Sequence, residues 1–240
     1  MMQLICRNDI GNCFSYTELD DDRCAVTGFA DPCAAPIRLV IPDRAPDGRA
    51  VTAVADKAFS GCTSLRVICL PDSVTSIGKR AFAFCTSLSD IRIGRESRLS
   101  SIGDRAFMSC ERLPLVRLGH LSDLRTVGAK AFAYCTHLRS VVLPDSLPAI
   151  PDGMFEGCRL LSHVRLPGRL IRIGGSAFSA CGALASLYLP DSVGIIEDNA
   201  FGCCALLSCL TLPASPCLVS ASAFRECPSL PGLSVLLGAS

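Results

Sequence analysis

The stretch Ala58-Phe59-Ser60-Gly61-Cys62-Thr63-Ser64-Leu65 defines a phrase, Ala-Phe-x-x-Cys-x-x-Leu, that recurs along the chain. The phenylalanine, the cysteine three residues on and the leucine three further on return every 23 or 25 residues. The phenylalanines stand at Phe59, Phe82, Phe107, Phe132, Phe155, Phe178, Phe201 and Phe224. Self-similarity at a fixed period of about 20–30 residues is typical of solenoids, in which each repeat packs only against its neighbours. The sequence therefore predicts a repeat solenoid.

Composition excludes some classes of function. The chain has 240 residues, 50% of them hydrophobic, and a formal net charge of +1. A dedicated nucleic-acid-binding protein usually has a basic excess, so we expect no nucleic-acid partner. No apolar stretch approaches the ~18 residues of a membrane helix, and no signal-peptide-like run follows Met1. We expect no membrane span, and a protein that either stays where it is made or has lost a leader.

Each repeat contains a strand-like segment. Apolar and variable residues alternate with a period of two, which indicates strands with one buried face. The sequence predicts nine parallel strands in one sheet on the concave face of the solenoid. Their inward pairs are Leu39/Ile41, Ile68/Leu70, Ile91/Ile93, Val116/Leu118, Val141/Leu143, Val164/Leu166, Leu187/Leu189, Leu210/Leu212 and Leu233/Val235.

The recurring phrase itself predicts the opposite, convex side of each coil. A spacing of three places Phe, Cys and Leu on one face of a tight helical turn, and 3₁₀ geometry suits it. Carboxylates three residues before the phenylalanine are predicted to cap these turns, at Asp56, Asp104, Asp152 and Asp198. The fold class is therefore an α/β repeat solenoid with short helical turns on its convex face.

Residues 1–36 lack the repeat, which occupies residues 37–240. Two strand-like runs, 14–19 and 24–29, flank the turn-forming sequence Asp20-Asp21-Asp22-Arg23. They predict a β-hairpin that caps the first coil. The four cysteines of this region allow three interpretations, namely unpaired thiols, two disulfides or a metal site. They are Cys6, Cys13, Cys24 and Cys33.

Half of the sixteen cysteines form the ladder of the recurring phrase. Equivalent side chains that stack at one repeat position are typical of buried small hydrophobes, which is how free cysteine packs in a core. We therefore expect reduced, structural thiols, as in a reducing compartment.

Residues 65–85 combine Leu-x-x-Ile-x-Leu-Pro with Ser-Val-x-x-Ile-Gly-x-x-Ala-Phe-x-x-Cys. This pattern, continued over residues ~37–237, resembles the BspA-type leucine-rich repeat. The resemblance implies a right-handed, curved solenoid of a mostly bacterial family with surface or secreted members that act in adhesion. Met154, in place of alanine, and Pro216, in place of an apolar residue, depart from the pattern. The family favours the cell surface while the cysteines favour the cytoplasm, so the localisation stays open.

No catalytic group stands out. Of the three histidines, His120 and His163 fall in different repeats at different positions, and His137 lies on the convex turn. No nucleophile motif, phosphate-binding loop or paired metal-ligand spacing is present. We therefore predict a non-enzymatic protein with no catalytic residue, no metal and no cofactor.

The outward side of the predicted sheet is the candidate binding surface. Arginine and tyrosine are enriched at interaction hot spots, and several of them point outward here. The candidate ligand-binding residues are Asp90, Arg92, Arg117, His163, Arg165 and Tyr188. The alternative is a set of ordinary solvated side chains.

Two repeats are longer than the others. Their strands end in Gly94 and Gly119 instead of proline, and each contains two extra residues. Insertions confined to one face often mark the binding face of a solenoid, but they are also tolerated at any surface. The sequence places Arg92 and Arg117 in these repeats and, by strand spacing, makes them near neighbours.

Three functions compete at this point. The first is an interaction scaffold that binds a protein or acidic ligand on the concave face. The second is a structural solenoid that assembles end to end through its last strand. The third is a thiol or metal protein built on the outward cysteines Cys69 and Cys209.

Overall fold

The structure is a computed structural model that describes residues 6–7, 13–30 and 36–230, with side chains from residue 14 onward. Regular structure consists of short strands. In chain order they are β1 (Cys6–Arg7), β2 (Cys13–Glu18), β3 (Arg23–Phe29), β4 (Arg38–Val40), β5 (Ala50–Val54), β6 (Val67–Leu70), β7 (Ser76–Ile77), β8 (Asp90–Ile93), β9 (Ser101–Ile102), β10 (Leu115–Arg117), β11 (Thr126–Val127), β12 (Ser140–Val142), β13 (Ala149–Ile150), β14 (His163–Arg165), β15 (Arg172–Ile173), β16 (Ser186–Tyr188), β17 (Ile195–Ile196), β18 (Cys209–Thr211) and β19 (Leu218–Val219).

Each coil adds one strand to each of two rows. The row predicted from sequence comprises the even-numbered strands from β4 to β18. These strands form three separate sheets, β4-β6-β8, β10-β12-β14 and β16-β18. Strands within these sheets are parallel and in register, as Val141↔Val164 illustrates. The prediction of stacked parallel strands is confirmed, but the prediction of one continuous sheet is wrong. The ninth strand, at Leu233 and Val235, lies outside the described residues.

Proline at the head of β10 explains the first interruption. At the equivalent position of other coils the backbone N–H donates to the preceding coil, as Ser89 N does to Arg66 O at 2.8 Å and Arg139 N to Pro114 O at 2.8 Å. Pro114 has no N–H and cannot make this bond. The ladder between β8 and β10 therefore loses its first rung.

The core is continuous from coil to coil. The inward strand residues are buried or half-buried, and the phenylalanines of the recurring phrase are fully buried. Ring centroids of Phe107 and Phe132 are 5.2 Å apart, with planes inclined by 4°. Offset stacking of this kind contributes about 0.5–1.5 kcal/mol per pair beyond burial of area. The predicted phenylalanine ladder is confirmed.

The predicted helical turns are wrong, because the described residues contain no helix. Around Phe82, the backbone takes left-handed conformations at Arg80 (φ 54°) and Phe84 (φ 62°), which interrupt helical geometry. Phe82 N donates to Ala106 O in the next coil at 2.8 Å, whereas Ala83 N donates back to Arg80 O at 3.1 Å. Backbone groups thus alternate between bonds within the coil and bonds to its neighbour, and the turns form a third stacked row.

The repeated aspartates act between coils. Asp56 Oδ1 accepts from Lys79 N at 2.7 Å, and Asp104 Oδ1 accepts from Ala129 N at 3.0 Å. Each donor belongs to the following coil, so these carboxylates cap the neighbour instead of their own turn. The sequence identified the carboxylates as caps but not the coil that they cap.

The cysteine ladder is more than a row of small hydrophobes. Cys85 Sγ donates to Phe59 O at 3.2 Å, and Cys135 Sγ donates to Phe107 O at 3.3 Å, each in the preceding coil. The ladder positions from Cys85 to Cys227 repeat this contact. Burial raises the pKa of Cys85 and of Cys135 to about 12, so both thiols stay protonated and able to donate.

The N-terminal hairpin continues the solenoid. Strands β2 and β3 pair antiparallel, and β3 then pairs parallel with β5, so the hairpin covers the first coil through backbone hydrogen bonds. Cys24 is buried and free. The side chains of Cys6 and Cys13, and all of Cys33, lie outside the described residues.

Candidate functional site

The outward side of the first strand row, from β4 to β18, is called here the strand face. Alternation along β14 places Val164 towards the core and exposes His163 and Arg165. Strand register sets Arg117, Val142 and Arg165 in one row across β10, β12 and β14. Two of the predicted arginines therefore stand about two strand spacings, or ~9.6 Å, apart along the solenoid.

Arg92 and Asp90 form a separate pair. Arg92 Nε donates to Asp90 Oδ2 at 2.7 Å within β8. This bond raises the pKa of Arg92 and leaves its charge partly compensated. Because β8 and β10 lie in different sheets, no strand register relates Arg92 to Arg117.

Arg165 reaches back along the strand face. A β-carbon placed on Gly119 would lie 3.9 Å from Arg165 Nη1 and 2.7 Å from Val142 Cγ1. The guanidinium therefore passes over Val142 to the chain just beyond β10. Its nearest carboxylate is Asp145, with Nη2 and Oδ2 3.8 Å apart and both side chains more than 60% exposed. Such an exposed, long ion pair contributes little, about 0–1 kcal/mol.

A shallow groove crosses β12, β14, β16 and β18. Its volume is about 510 Å³, and His163, Arg165 and the 64%-exposed Tyr188 line it. Its other polar side chains are Ser140, Ser162, Ser186, Cys209 and Thr211. We call it the strand-face groove. It brings together three of the six predicted residues, and Arg117 lies beside it in the row of Val142.

A second depression adjoins the groove at the rim. It has a volume of about 530 Å³ and shares Arg165 and Tyr188, while Pro190 and Asp191 form its outer wall. Asp191 Oδ1 accepts from Ala214 N at 3.0 Å, so this carboxylate is partly occupied in fixing the rim. Arg165 and Tyr188 thus stand between two concave regions of the strand face.

Sequence reasoning missed Arg139. It precedes β12 and is exposed, and its carbonyl accepts from Ser162 N and His163 N, both at 3.1 Å. Its backbone therefore adjoins the strand that contributes His163. The only sequence signal for Arg139 is its repeat position, directly after the ladder leucine. Arg66 occupies the same position three coils earlier. Within residues 14–30 and 36–230, neither Arg117 nor Arg139 has a carboxylate at ion-pair distance.

The glycines of the long repeats have packing roles. A β-carbon on Gly94 would overlap the Asp72 carboxylate, and one on Gly119 would crowd Val142. His120 Nε2 lies 3.2 Å from Gly94 O, which joins the two inserted segments at the rim. Close packing accounts for glycine at both positions.

The outward cysteines are not brought together. Cys69 lies half-buried on β6, with its Sγ 3.7 Å from Arg38 Nη2, and Cys209 is exposed on β18 in another sheet. No group of three His, Cys, Asp or Glu side chains within the described part of the chain is arranged to hold a metal ion. The same part contains no helix long and apolar enough to cross a membrane.

Parallel strands in coil-by-coil register, with a phenylalanine and cysteine ladder between them, define a solenoid of the leucine-rich-repeat class. The sequence matches the BspA type leucine rich repeat region, in six copies, over residues 45–121 and 118–231. The chain therefore belongs to the BspA-type leucine-rich repeat family.

Solved structures agree with this assignment. A leucine-rich repeat protein of T. pallidum is 32% identical, with 94% of this chain and 93% of that chain covered and a TM-score of 0.67. A leucine-rich cell surface protein of Faecalibacterium prausnitzii has a TM-score of 0.66 at 24% identity, with 96% of this chain and 76% of that chain covered, and shows the fold alone. No curated protein matches the sequence.

Proposed function

We propose that the protein is a non-enzymatic interaction scaffold that binds a protein partner through its strand face. The observation that supports this most is the strand-face groove, where Arg165, Tyr188 and His163 are exposed side by side on a rigid row of strands. Arginine and tyrosine dominate binding energy at protein interfaces, because they combine large contact area with directed hydrogen bonds. Proteins of the leucine-rich-repeat class generally mediate protein interactions.

The proposal includes action at the bacterial cell surface, in adhesion to host proteins or to other cells. Its support is membership of the BspA-type family and the fold shared with a relative described as a cell surface protein. Labelling of intact cells with a membrane-impermeant lysine reagent tests this part. Labelled protein supports it, and protein labelled only after lysis overturns it.

Charge reversal on the strand face tests the binding site. The variant combines Arg92→Glu, Arg117→Glu and Arg165→Glu, and its control combines Arg80→Glu, Arg112→Glu and Arg159→Glu, which are exposed outside the strand face. Both change the net charge equally. We expect the first to lose at least about ten-fold in affinity for the native partner and the control to change it less than about two-fold. Equal affinities for the two variants would overturn the proposal.

End-to-end assembly is a second candidate, favoured by one observation. In the sheet β13-β15-β17-β19, Leu218 of β19 is 75% exposed and in register with the exposed Ile195 of β17. An exposed column of apolar side chains along a row of strands is a surface on which a second copy of the chain can pack. Light scattering over a range of concentrations tests this candidate. A mass that stays monomeric excludes it, whereas Leu218→Asp should abolish any assembly.

A further inference from the structure

We infer that the strand-face groove, together with Arg117 and Arg139, recognises an extended acidic segment of the partner protein. This inference rests on the proposed function and names the chemistry that the same surface recognises. Its basis is the combination of available positive charge, hydroxyl donors and apolar contacts at one place.

Positive charge is available to a ligand from Arg165 in the groove and from Arg117 and Arg139 outside its lining. Arg117 and Arg139 have no ion-pair partner among the described residues, and Arg165 has only the exposed contact with Asp145. Arg92, by contrast, is held by Asp90 at 2.7 Å. A ligand carboxylate would meet the first three guanidinium groups without displacing a strong internal partner. Arginine binds carboxylates with two parallel hydrogen bonds, which adds geometric selectivity to the charge attraction.

The groove contains no carboxylate of its own. Its side chains with hydrogen-bonding groups are hydroxyls, one imidazole, one guanidinium and one thiol, from Ser140, Ser162, Ser186, Thr211, Tyr188, His163, Arg165 and Cys209. Hydroxyl groups donate to carboxylate and peptide oxygens. An anionic, oxygen-rich ligand therefore finds donors along the groove, while a cationic ligand finds no counter-charge inside it.

Apolar contacts separate the cations, and this favours a peptide over a densely charged polymer. Val142 lies between Arg117 and Arg165 in the same row, and Tyr188 of β16 lines the same groove. An extended peptide presents every second side chain to the surface on which it lies, so carboxylates and apolar groups that take turns at these positions meet the surface at intervals. A sulfated glycan or a nucleic acid has a charge at every unit and would need a continuous run of cations.

Dimensions set the length of the segment. Four strands at ~4.8 Å spacing span about 14 Å, and an extended peptide advances ~3.3 Å per residue. The groove therefore accommodates about four to five residues, or about six when Arg117 of β10 is included. Its volume of about 510 Å³ suits a short segment of this kind.

The test uses a fluorescent, terminally capped octapeptide with the repeated sequence Glu-Ser-Val-Ser, called the Glu-Val peptide, which places Glu and Val on the same face. The uncharged control, called the Gln-Val peptide, has Gln in place of Glu. Binding is followed by fluorescence anisotropy with the full chain at low and physiological salt. We expect the Glu-Val peptide to bind at least about ten-fold more tightly than the Gln-Val peptide, since only the carboxylates pair with the guanidinium groups. Equal affinity for the two peptides, or no binding of either, would overturn the inference.

Matched variants locate the binding. Arg139→Glu and Arg66→Glu change the same repeat position by the same charge, three coils apart, and both side chains are exposed. We expect Arg139→Glu and Arg165→Glu each to weaken Glu-Val binding by at least about five-fold, and Arg66→Glu by less than about two-fold. Equal losses at Arg66 and Arg139 would show unspecific charge attraction and overturn the inference. Thermal unfolding of each variant confirms that it is folded.

Two further outcomes separate the possible failures. A heparin oligosaccharide that binds the groove more tightly than the Glu-Val peptide contradicts the assignment to an acidic peptide. If strand-face charge reversal abolishes binding of the native partner but the peptide does not bind, the proposed function stands and this inference fails. If the reversal leaves partner binding intact, the proposed function fails as well.

Discussion

The guanidinium group of Arg165 lies over Gly119, two coils away along the strand face. A β-carbon on Gly119 would be 3.9 Å from Arg165 Nη1 and only 2.7 Å from Val142 Cγ1. The glycine that distinguishes one of the longer repeats thus leaves room for Val142, which lies between Arg117 and Arg165 in their row. Gly119, an irregularity of the repeat, is therefore packed against the row that contains the arginines.

Gly119→Ala should therefore destabilise the protein. Its methyl group would overlap Val142, and overpacking of this kind costs about 1–3 kcal/mol. Gly168→Ala is the matched control, because its β-carbon would meet only Asp145 Oδ1, at 3.8 Å. Urea unfolding should show a change within about 0.5 kcal/mol for the control. Adding Val142→Ala to Gly119→Ala should recover part of the loss, and a strictly additive further loss would contradict this packing.

Phe132→Ala tests the phenylalanine ladder. Phe132 is fully buried between the rings of Phe107 and Phe155, at centroid distances of 5.2 Å and 6.0 Å. Truncation should cost about 3–5 kcal/mol in the free energy of unfolding. Phe84→Ala, at an exposed ring, should cost less than about 1 kcal/mol. Similar losses at the two positions would show that the ladder is not the core.

Cys135 distinguishes a packing role from a hydrogen-bonding role. Its thiol donates to Phe107 O at 3.3 Å, so serine preserves a donor that alanine removes. We expect both variants to lose about 1–2 kcal/mol, with Cys135→Ser at least as stable as Cys135→Ala in urea unfolding. If the thiol were only a hydrophobe, the buried serine hydroxyl would make Cys135→Ser clearly the less stable variant. Cys209→Ser, at an exposed site, is the control.

Alkaline pH should unfold the protein through the cysteine ladder. The pKa of Cys85 and of Cys135 is raised to about 12 in the folded chain, against about 8.5 for an unfolded thiol. The unfolded chain therefore releases these protons first as the pH rises. The stability they contribute is complete below about pH 8.5 and is lost towards pH 12, by about 1.4 kcal/mol per pH unit for each thiol.

Urea unfolding at several pH values between neutral and alkaline measures this loss. Cys135→Ala removes one of the titrating groups, so its stability should fall less steeply with pH than that of the unaltered chain. Cys209→Ala, at an exposed position, is the control variant. Parallel curves for the two variants would contradict the contribution of buried thiols.

The strands were predictable because burial of one face imposes alternation, as at Val141 and Leu143. The turns were not, because Arg80 and Phe84 take left-handed conformations that neither residue type indicates. Bonds to the neighbouring coil hold them there, and such bonds depend on stacking. The sequence shows that Pro114 has no backbone donor. That this interrupts the sheet between β8 and β10 follows only from the register of the stacked coils.

The candidate site was predicted in part for a similar reason. Alternation along the strands correctly predicted that Arg165, His163 and Tyr188 are exposed, and in the structure they line one groove. Alternation does not predict that Arg92 is paired with Asp90, because this ion pair depends on side-chain conformation. Arg139 was missed because it precedes the alternating segment, and its backbone adjoins β14 only through the stacking of coils.

Photocross-linking to the native partner tests the central claim, that the strand face is the binding surface. A benzoylphenylalanine at Tyr188 reports from the strand face, and the same group at Phe84, an exposed aromatic position on the turns, is the matched control. We predict cross-links at Tyr188 in at least about ten-fold excess over Phe84, because hot-spot aromatics lie at the centre of an interface. Equal yields, or an excess at Phe84, would contradict the claim.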